Sequence, residues 1–377
     1  MSSSKKIIIA SGTYLPEVSG QSTFVSMILD FFPENYDWRV LAYGNNNERR
    51  ENKIFIIKRN FLRYFFYWLK IIKQKNKSSI IFAQDLVSSG LPAALAKGRN
   101  NKLVIRIGGD FLWEKMVSQG KCKVPLSQYY QEPKKFQEKI YLLAYRFVFS
   151  RCDFIIFNTD QQKNLYQDFF PFLINKKTTV IENSFLQKSD NNFNDKNLNI
   201  DKRNAFEKKE IIYAGRLTPL KNIKRLVNAF NSIEGVDKKL TIIGDGPLKN
   251  DLKIIANSNS NIIFKDAMSQ KELSRYLLDN CFLLVLPSLS ELSPNVALEA
   301  LGLGVPTVLT QEVGFSDDVK KFFKLVDPMS EKSIKDALEY FFGKENYYSH
   351  LRLISQVLSV KDYQVIASKH LEVFESL

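Results

Sequence analysis

Histidine is nearly missing from this sequence: His350 and His370, both near one end, are the only two in 377 residues. That leaves no set for a histidine-held metal or a Ser-His triad. Cysteine is almost as scarce. Cys122, Cys152 and Cys281 are scattered and odd in number, so they predict neither a disulfide framework nor a zinc site and fit a reducing cytoplasm. Apolar runs such as Tyr64–Leu69 fall far short of the ~20 residues a membrane span needs. Lys5-Lys6 leads straight into Ile7-Ile8-Ile9, which does not read as a signal peptide. No Gly-x-x-x-x-Gly-Lys-Ser/Thr occurs, which excludes a P-loop. No two aspartates stand two positions apart, which removes the usual cradle for a metal-held nucleotide diphosphate.

The length allows two or three domains with sizeable cores. Hydrophobic content of 45% and charged content of 25% fit a soluble globular protein. The net charge of +14 suits an anionic partner, whether nucleotide, acidic lipid or nucleic acid. It equally suits compositional drift, because lysine, asparagine, isoleucine and phenylalanine are abundant throughout.

Apolar strands alternate with helical stretches along the first half. Strands are expected at Lys6–Ser11, Trp38–Tyr43, Ile54–Ile57, Ser79–Ala83, Lys102–Ile107, Phe154–Asn158 and Thr178–Ile181. This α/β pattern predicts a parallel sheet covered on both faces. Ser184–Lys209, rich in Asn, Asp and Lys, reads as a solvated linker. The alternation restarts with strands at Glu210–Ala214, Lys239–Ile243, Asn261–Lys265, Cys281–Leu286, Val305–Leu309 and Lys324–Val326, and after Lys332 the chain is expected to be helical.

Pro287–Pro306 organises the second half. A strand buried on both faces leads into it, and Ser293-Pro294 reads as a helix start. The helix is apolar on every side apart from Glu299, as a buried helix would be. A carboxylate there needs a partner. Glu291 lies in the preceding loop, at the strand's carboxyl end, where open parallel sheets bind ligands. Both can accept from ligand hydroxyls while free amides face an anion; the bland alternative pairs Glu299 with a lysine and leaves Glu291 solvated. Arg216 and Lys221 follow another strand end beside a helix start, gathering two cations against one anion. A diphosphate fits them, although two solvated cations are common on a basic protein. Gly244-Asp245-Gly246-Pro247 also follows a strand and opens a helix, without being Gly-x-Gly-x-x-Gly.

Ala214-Gly215-Arg216-Leu217 with Lys221, Gly244–Pro247, Glu291 to Glu299 and Gly304-Val305-Pro306 together resemble the family-4 retaining glycosyltransferases. The resemblance implies the GT-B fold: two Rossmann-like doubly wound parallel-sheet domains facing each other across a cleft. It implies an acceptor domain over residues 1–185, a nucleotide-sugar donor domain over 205–360, and a final helix, 361–377, packing back on the first. Arg216 and Lys221 would hold the donor diphosphate, and Glu299 the ribose hydroxyls. Glu291 would contact the donor sugar, with Leu292 and Ser293 offering backbone amides. Gly20 resembles the family's glycine loop, although Ser19 stands where another glycine is usual. Gly108 stands where the family often has a histidine, so Asp110 is the nearest polar group to orient donor or acceptor; capping a following turn is its other reading.

The expected function is therefore transfer of a sugar from a nucleotide-sugar to a glycan or lipid-linked acceptor, in cell-surface polysaccharide or glycolipid synthesis. The resemblance implies retention of configuration and no required metal or cofactor. The rivals are a nucleotide-sugar epimerase or a phosphorylase on the same fold, or a basic nucleic-acid- or membrane-binding protein on an inactive scaffold. No specific nucleic acid is expected. A cytoplasmic location is expected, with the inner membrane face as a candidate surface. Phe61–Lys70, aromatic and basic, is either a membrane-surface helix or a packed core helix. Its apolar residues surround it more fully than one face requires, which favours the core.

Overall fold

The computed structural model describes residues 5–17, 19–50, 52–183, 185–188, 205–256, 259–355, 357–360 and 362–377. Contacts divide the chain into two units. The first comprises Met1–Leu112, Glu132–Asn183 and Asp362–Leu377; the second comprises Trp113–Gln131 and Ser184–Lys361.

The first unit is built on β1 (Lys5–Ala10), β2 (Tyr36–Gly44), β3 (Glu48–Arg50), β4 (Ile54–Lys58), β5 (Ile80–Ala83), β6 (Lys102–Ile107), β7 (Phe154–Phe157) and β8 (Thr178–Val180). They lie in the order β3-β4-β2-β1-β5-β6-β7-β8. Central β1 runs parallel to both neighbours, with Ile7 opposite Trp38 on one side and Ile80 on the other. Only the edge pair β3–β4 is antiparallel. Ile7, Ile8, Ile9 and Ala10 are all fully buried, which is why this strand shows a continuous apolar run instead of alternation. The last helix, Tyr363–Glu375, starts on Asp362, whose carboxylate accepts from the Gln364 and Val365 amides. It belongs to this unit, where His370 and Phe374 pack against Phe82.

The second unit adds β9 (Phe185–Lys188), β10 (Glu210–Ala214), β11 (Lys239–Ile243), β12 (Ile262–Lys265), β13 (Leu283–Leu286), β14 (Thr307–Thr310), β15 (Lys324–Val326) and β16 (Val357–Val360). Its main sheet is parallel throughout, in the order β12-β11-β10-β13-β14-β15. This is a doubly wound order whose reversal falls between β10 and β13. One core underlies this sheet, with Leu226, Val227 and Phe230 on one helix and Ile334, Leu338 and Phe341 on another that packs beside it.

Three expectations change. Much of the linker read at Ser184–Lys209 lies outside the described residues, but β9 within it pairs antiparallel with β16 and Ala205–Lys208 is helical. For the same reason the chain after Lys332 is not all helix. The helix expected at Phe61–Lys70 is present as Arg63–Gln74, yet it buries only Tyr67 and Ile71. It packs through one face, and the Tyr67 hydroxyl donates to the carbonyls of Ser11 and Leu41. Phe61, Leu62, Phe65, Phe66 and Ile72 are exposed, so the core reading was wrong.

Candidate active site

The site forms where β10 and β13 end side by side. Gly215, Arg216 and Leu217 leave β10 and lead into a short 3-10 turn, Pro219–Lys221. Asn222 follows in a left-handed conformation, φ 57°, and its buried side-chain amide donates to the carbonyls of Pro287 (2.9 Å) and Pro328 (2.7 Å). The Leu289 amide donates to the Leu220 carbonyl at 2.9 Å. The two loops are therefore fastened together at the reversal point of the sheet, where ligands of such sheets bind.

Lys221 forms an ion pair with Oε1 of Glu291, and the Ser288 hydroxyl donates to the same oxygen at 2.7 Å. Oε2 of Glu291 takes no hydrogen bond from any described residue. The Glu291 backbone is clamped as well: its amide donates to the Glu312 carbonyl and its carbonyl accepts from the Gly314 amide, each at 2.9 Å. Arg216 is exposed, and its guanidinium has no ion pair or hydrogen bond among the described residues. Beneath it, buried Tyr213 donates its hydroxyl to the Arg216 carbonyl at 3.0 Å. Burial holds that phenol well above its ordinary pKa, and the Glu291 charge adds to the effect, so it stays a donor. The amides of Leu292 and Ser293 likewise find no acceptor among the described residues.

The helix after Glu291 begins one residue later than expected. Pro294 occupies the cap without a side-chain hydrogen bond, and Asn295–Gly302 is helical. Its buried residues are Ala297, Leu298, Ala300 and Leu301, so only one side is dry. Glu299 lies on the half-buried side and accepts from the Gln270 side-chain amide at 3.2 Å. The several-kcal/mol cost of a carboxylate in a dry interior therefore does not arise here. Gln270, Ser288, Tyr213 and Asn222 all escaped sequence reading, because none carries a motif.

Gly244 and Gly246 have a structural reason. Their φ values are 143° and 156°. A Cβ on Gly244 would lie 2.0 Å from the Gly215 carbonyl oxygen, and one on Gly246 2.5 Å from that of Leu217. The glycines let two adjacent loops meet backbone to backbone, with the Leu217 amide donating to the Asp245 carbonyl at 2.8 Å.

Trp113–Gln131 lies in the first half of the sequence but clusters with the second unit. It reaches the Glu291 loop: the Leu126 amide donates to the Ser290 hydroxyl (2.8 Å), and the Ser127 hydroxyl to Glu312 (2.6 Å).

Gly20 and Asp110 belong to the first unit. Gly20 opens the helix Gly20–Leu29, whose cap is Ser19, and a Cβ there would meet nothing within 4 Å. Asp110 is buried and accepts from the Tyr166 hydroxyl at 2.7 Å. At Gly108 a Cβ would lie 3.1 Å from the Arg106 guanidinium, so that side chain already crowds the position.

Residues 195–354 match the family described as glycosyl transferases group 1. Over 177 residues the chain is 32% identical to the uncharacterized glycosyltransferase MJ1059 of Methanocaldococcus jannaschii, covering 46% of this chain and 43% of that protein. Over 128 residues it is 34% identical to TuaC of Bacillus subtilis, provisionally named a teichuronic acid biosynthesis glycosyltransferase, covering 34% and 31%. The matches thus span less than half of these relatives. Among solved structures, HepE of Anabaena in complex with UDP superposes with a TM-score of 0.64 at 13% identity, over 99% of this chain and 100% of that one. That likeness establishes the fold as the two-domain GT-B architecture.

Proposed function

We propose, for a chain whose residues 195–354 match the glycosyl transferases group 1 family, that it moves a sugar from a nucleotide-sugar to a glycan or lipid-linked acceptor. Retention of configuration, independence of metal and a peripheral place at a membrane are parts of the same proposal. One observation carries it: where the sheet order reverses, the Glu291 carboxylate is engaged through Oε1, while its Oε2 and the Arg216 guanidinium have no partner among the described residues.

Each group then has a task. Arg216 can grip two phosphate oxygens of a diphosphate at once. Lys221 carries three donors, so it can keep Glu291 and still reach a phosphate. Oε2 of Glu291 is left to accept from a sugar hydroxyl, and the Leu292 and Ser293 amides can face the departing oxygens. Glu299, at the half-buried edge, would take the ribose hydroxyls. Gly20 and Asp110 would serve from the first unit. Stabilising the leaving diphosphate by fixed cations suits departure with the acceptor proton passing to that phosphate on the same face. UDP is the nucleotide to try first, because HepE is described with it; the naming of TuaC supports a surface polysaccharide as the setting.

The test is a thermal-shift panel of nucleotide-sugars followed by anomeric analysis of product. Binding at a hundred times Kd stabilises the native state by about 2.7 kcal/mol. No shift with any nucleotide, and no sugar transfer, would refute the reading.

A further inference from the structure

The helix Phe136–Arg151 carries large apolar residues on the wrong side. Phe136, Ile140, Leu143 and Phe147 recur at i, i+4, i+7 and i+11, one stripe of an α-helix, and every one is exposed. Phe136 is 82% exposed and Leu143 66%. The opposite side, with Tyr145, Val148 and Phe149, is in the core. A second exposed stripe lies nearby. The helix Gly90–Ala96 packs against both this helix and Arg63–Gln74, whose end presents Phe61, 92% exposed, and Phe65, 51% exposed.

Charge frames these stripes with one sign. No aspartate or glutamate occurs between Phe61 and Ser79. Between Lys134 and Arg151 the single acid is Glu138, which is buried and accepts from the Lys135 amide at 2.8 Å. Lys73, Lys139 and Arg146 are exposed around the apolar residues, with no ion pair among the described residues.

We propose that this face of the first unit docks on an anionic lipid bilayer, the Phe136–Phe147 stripe entering the headgroup boundary and the lysines and arginines meeting acidic headgroups. Apolar residues on one helical face with basic ones beside them are what interfacial helices use. Acidic lipids attract such clusters, an attraction that salt screens. A second copy of the chain is a poorer occupant, since a two-fold contact would press like charges together. Nucleic acid matches the charge, and the exposed phenylalanines can stack on bases, but Ile140, Leu143 and Ile72 add aliphatic surface that suits acyl chains and not bases. The face rests on the peripheral location proposed above and not on the transfer chemistry, so it is tested without donor or turnover.

The experiment is flotation of the full chain with vesicles of phosphatidylcholine alone or with about one third phosphatidylglycerol, at about 0.1 M and about 0.5 M salt. The chain is expected to float with the acidic vesicles at low salt, weakly at high salt, and not with the neutral ones. The exposed double variant Phe136→Ser/Leu143→Ser and the charge variant Lys73→Glu/Lys139→Glu should each lower partition about ten-fold or more. Circular dichroism unchanged from the parent would show that both fold. Equal flotation of parent and both variants, or none by the parent, would overturn the proposal. So would release from acidic vesicles by duplex DNA, or a concentration-dependent dimer that the serine variant abolishes.

Discussion

Lys221 and Glu291 are 70 residues apart in sequence and form one ion pair, made on Oε1 and leaving Oε2 open among the described residues. The two therefore act as a unit, and substituting one changes the other. In Glu291→Gln, Lys221 loses its counter-charge and is freed toward phosphate, while the acceptor for the sugar hydroxyl is weakened. Turnover should fall about a hundred-fold or more, with UDP affinity unchanged or tighter. Calorimetry and steady-state kinetics check the pair; a large loss of UDP affinity would mean that Glu291 serves the nucleotide instead.

Arg216 has no competing acid among the described residues, and it, with Lys221, is assigned the charge neutralisation a metal would otherwise perform. Arg216→Lys keeps the charge but loses the two-oxygen grip. We expect it to cost about ten-fold or more in kcat/KM, and Arg216→Ala more again, while EDTA leaves the parent's turnover intact. Loss of activity in EDTA that magnesium or manganese restores would defeat the cation assignment.

Glu299→Gln should leave unfolding free energy within about 0.5 kcal/mol, because the residue is half-exposed. A hydrogen bond to a charged group contributes about 1.5–3 kcal/mol, and exposure puts this one at the low end, about ten-fold in nucleotide affinity. An unchanged Kd for UDP in a calorimetric titration would remove Glu299 from the ribose.

Much of this architecture was legible because strands buried on both faces are written as short apolar runs. β6, β10 and β11 are found where such runs predict them, residue for residue. β3 was invisible, since Glu48–Arg50 is an edge of charged residues. The exposed face of Arg63–Gln74 was misread because composition reports how apolar a helix is, not how many sides meet neighbours. Glu299 was placed in a dry interior by the same error. Arg216, Lys221, Glu291 and Glu299 could be singled out as charges at strand ends or on an apolar helix. Which oxygen of Glu291 is engaged, the Asn222 fastening and the reach of Leu126 and Ser127 to the Glu291 loop depend on contacts between distant parts of the chain, and no spacing encodes them.

Two glycines that look alike in sequence should behave oppositely. Gly244→Ala would drive a Cβ into the Gly215 carbonyl at a φ of 143°, so it should destabilise the second unit by about 3 kcal/mol or more, whatever happens at the site. Gly20→Ala should fold as the parent does, within about 0.5 kcal/mol, because nothing lies within 4 Å of the added carbon. If backbone near Gly20 approaches the donor, turnover should drop nonetheless. Urea unfolding with kinetics on both variants separates the cases; full activity in Gly20→Ala would discard the close approach.

His370 should set how the first unit responds to acid. It is fully buried against Phe24 and Phe82, with centroids 5.3 and 5.6 Å away; Nδ1 meets the Ile366 carbonyl at 2.8 Å and Nε2 has no partner. Burial, with the Arg106 charge adding, pulls its pKa down from 6.5 to about 3. Burial likewise lowers His350 to about 4. The unfolded chain takes up these protons first. Their contribution is therefore complete above pH 6.5 and is lost as pH falls toward the folded values, at up to about 1.4 kcal/mol per pH unit for each histidine. His370→Leu should be less steeply destabilised between about pH 6 and pH 4.5 than the parent, by close to one such slope. Urea midpoints across that range decide it: parallel curves for parent and variant would show that the imidazole charges in the folded chain at little cost.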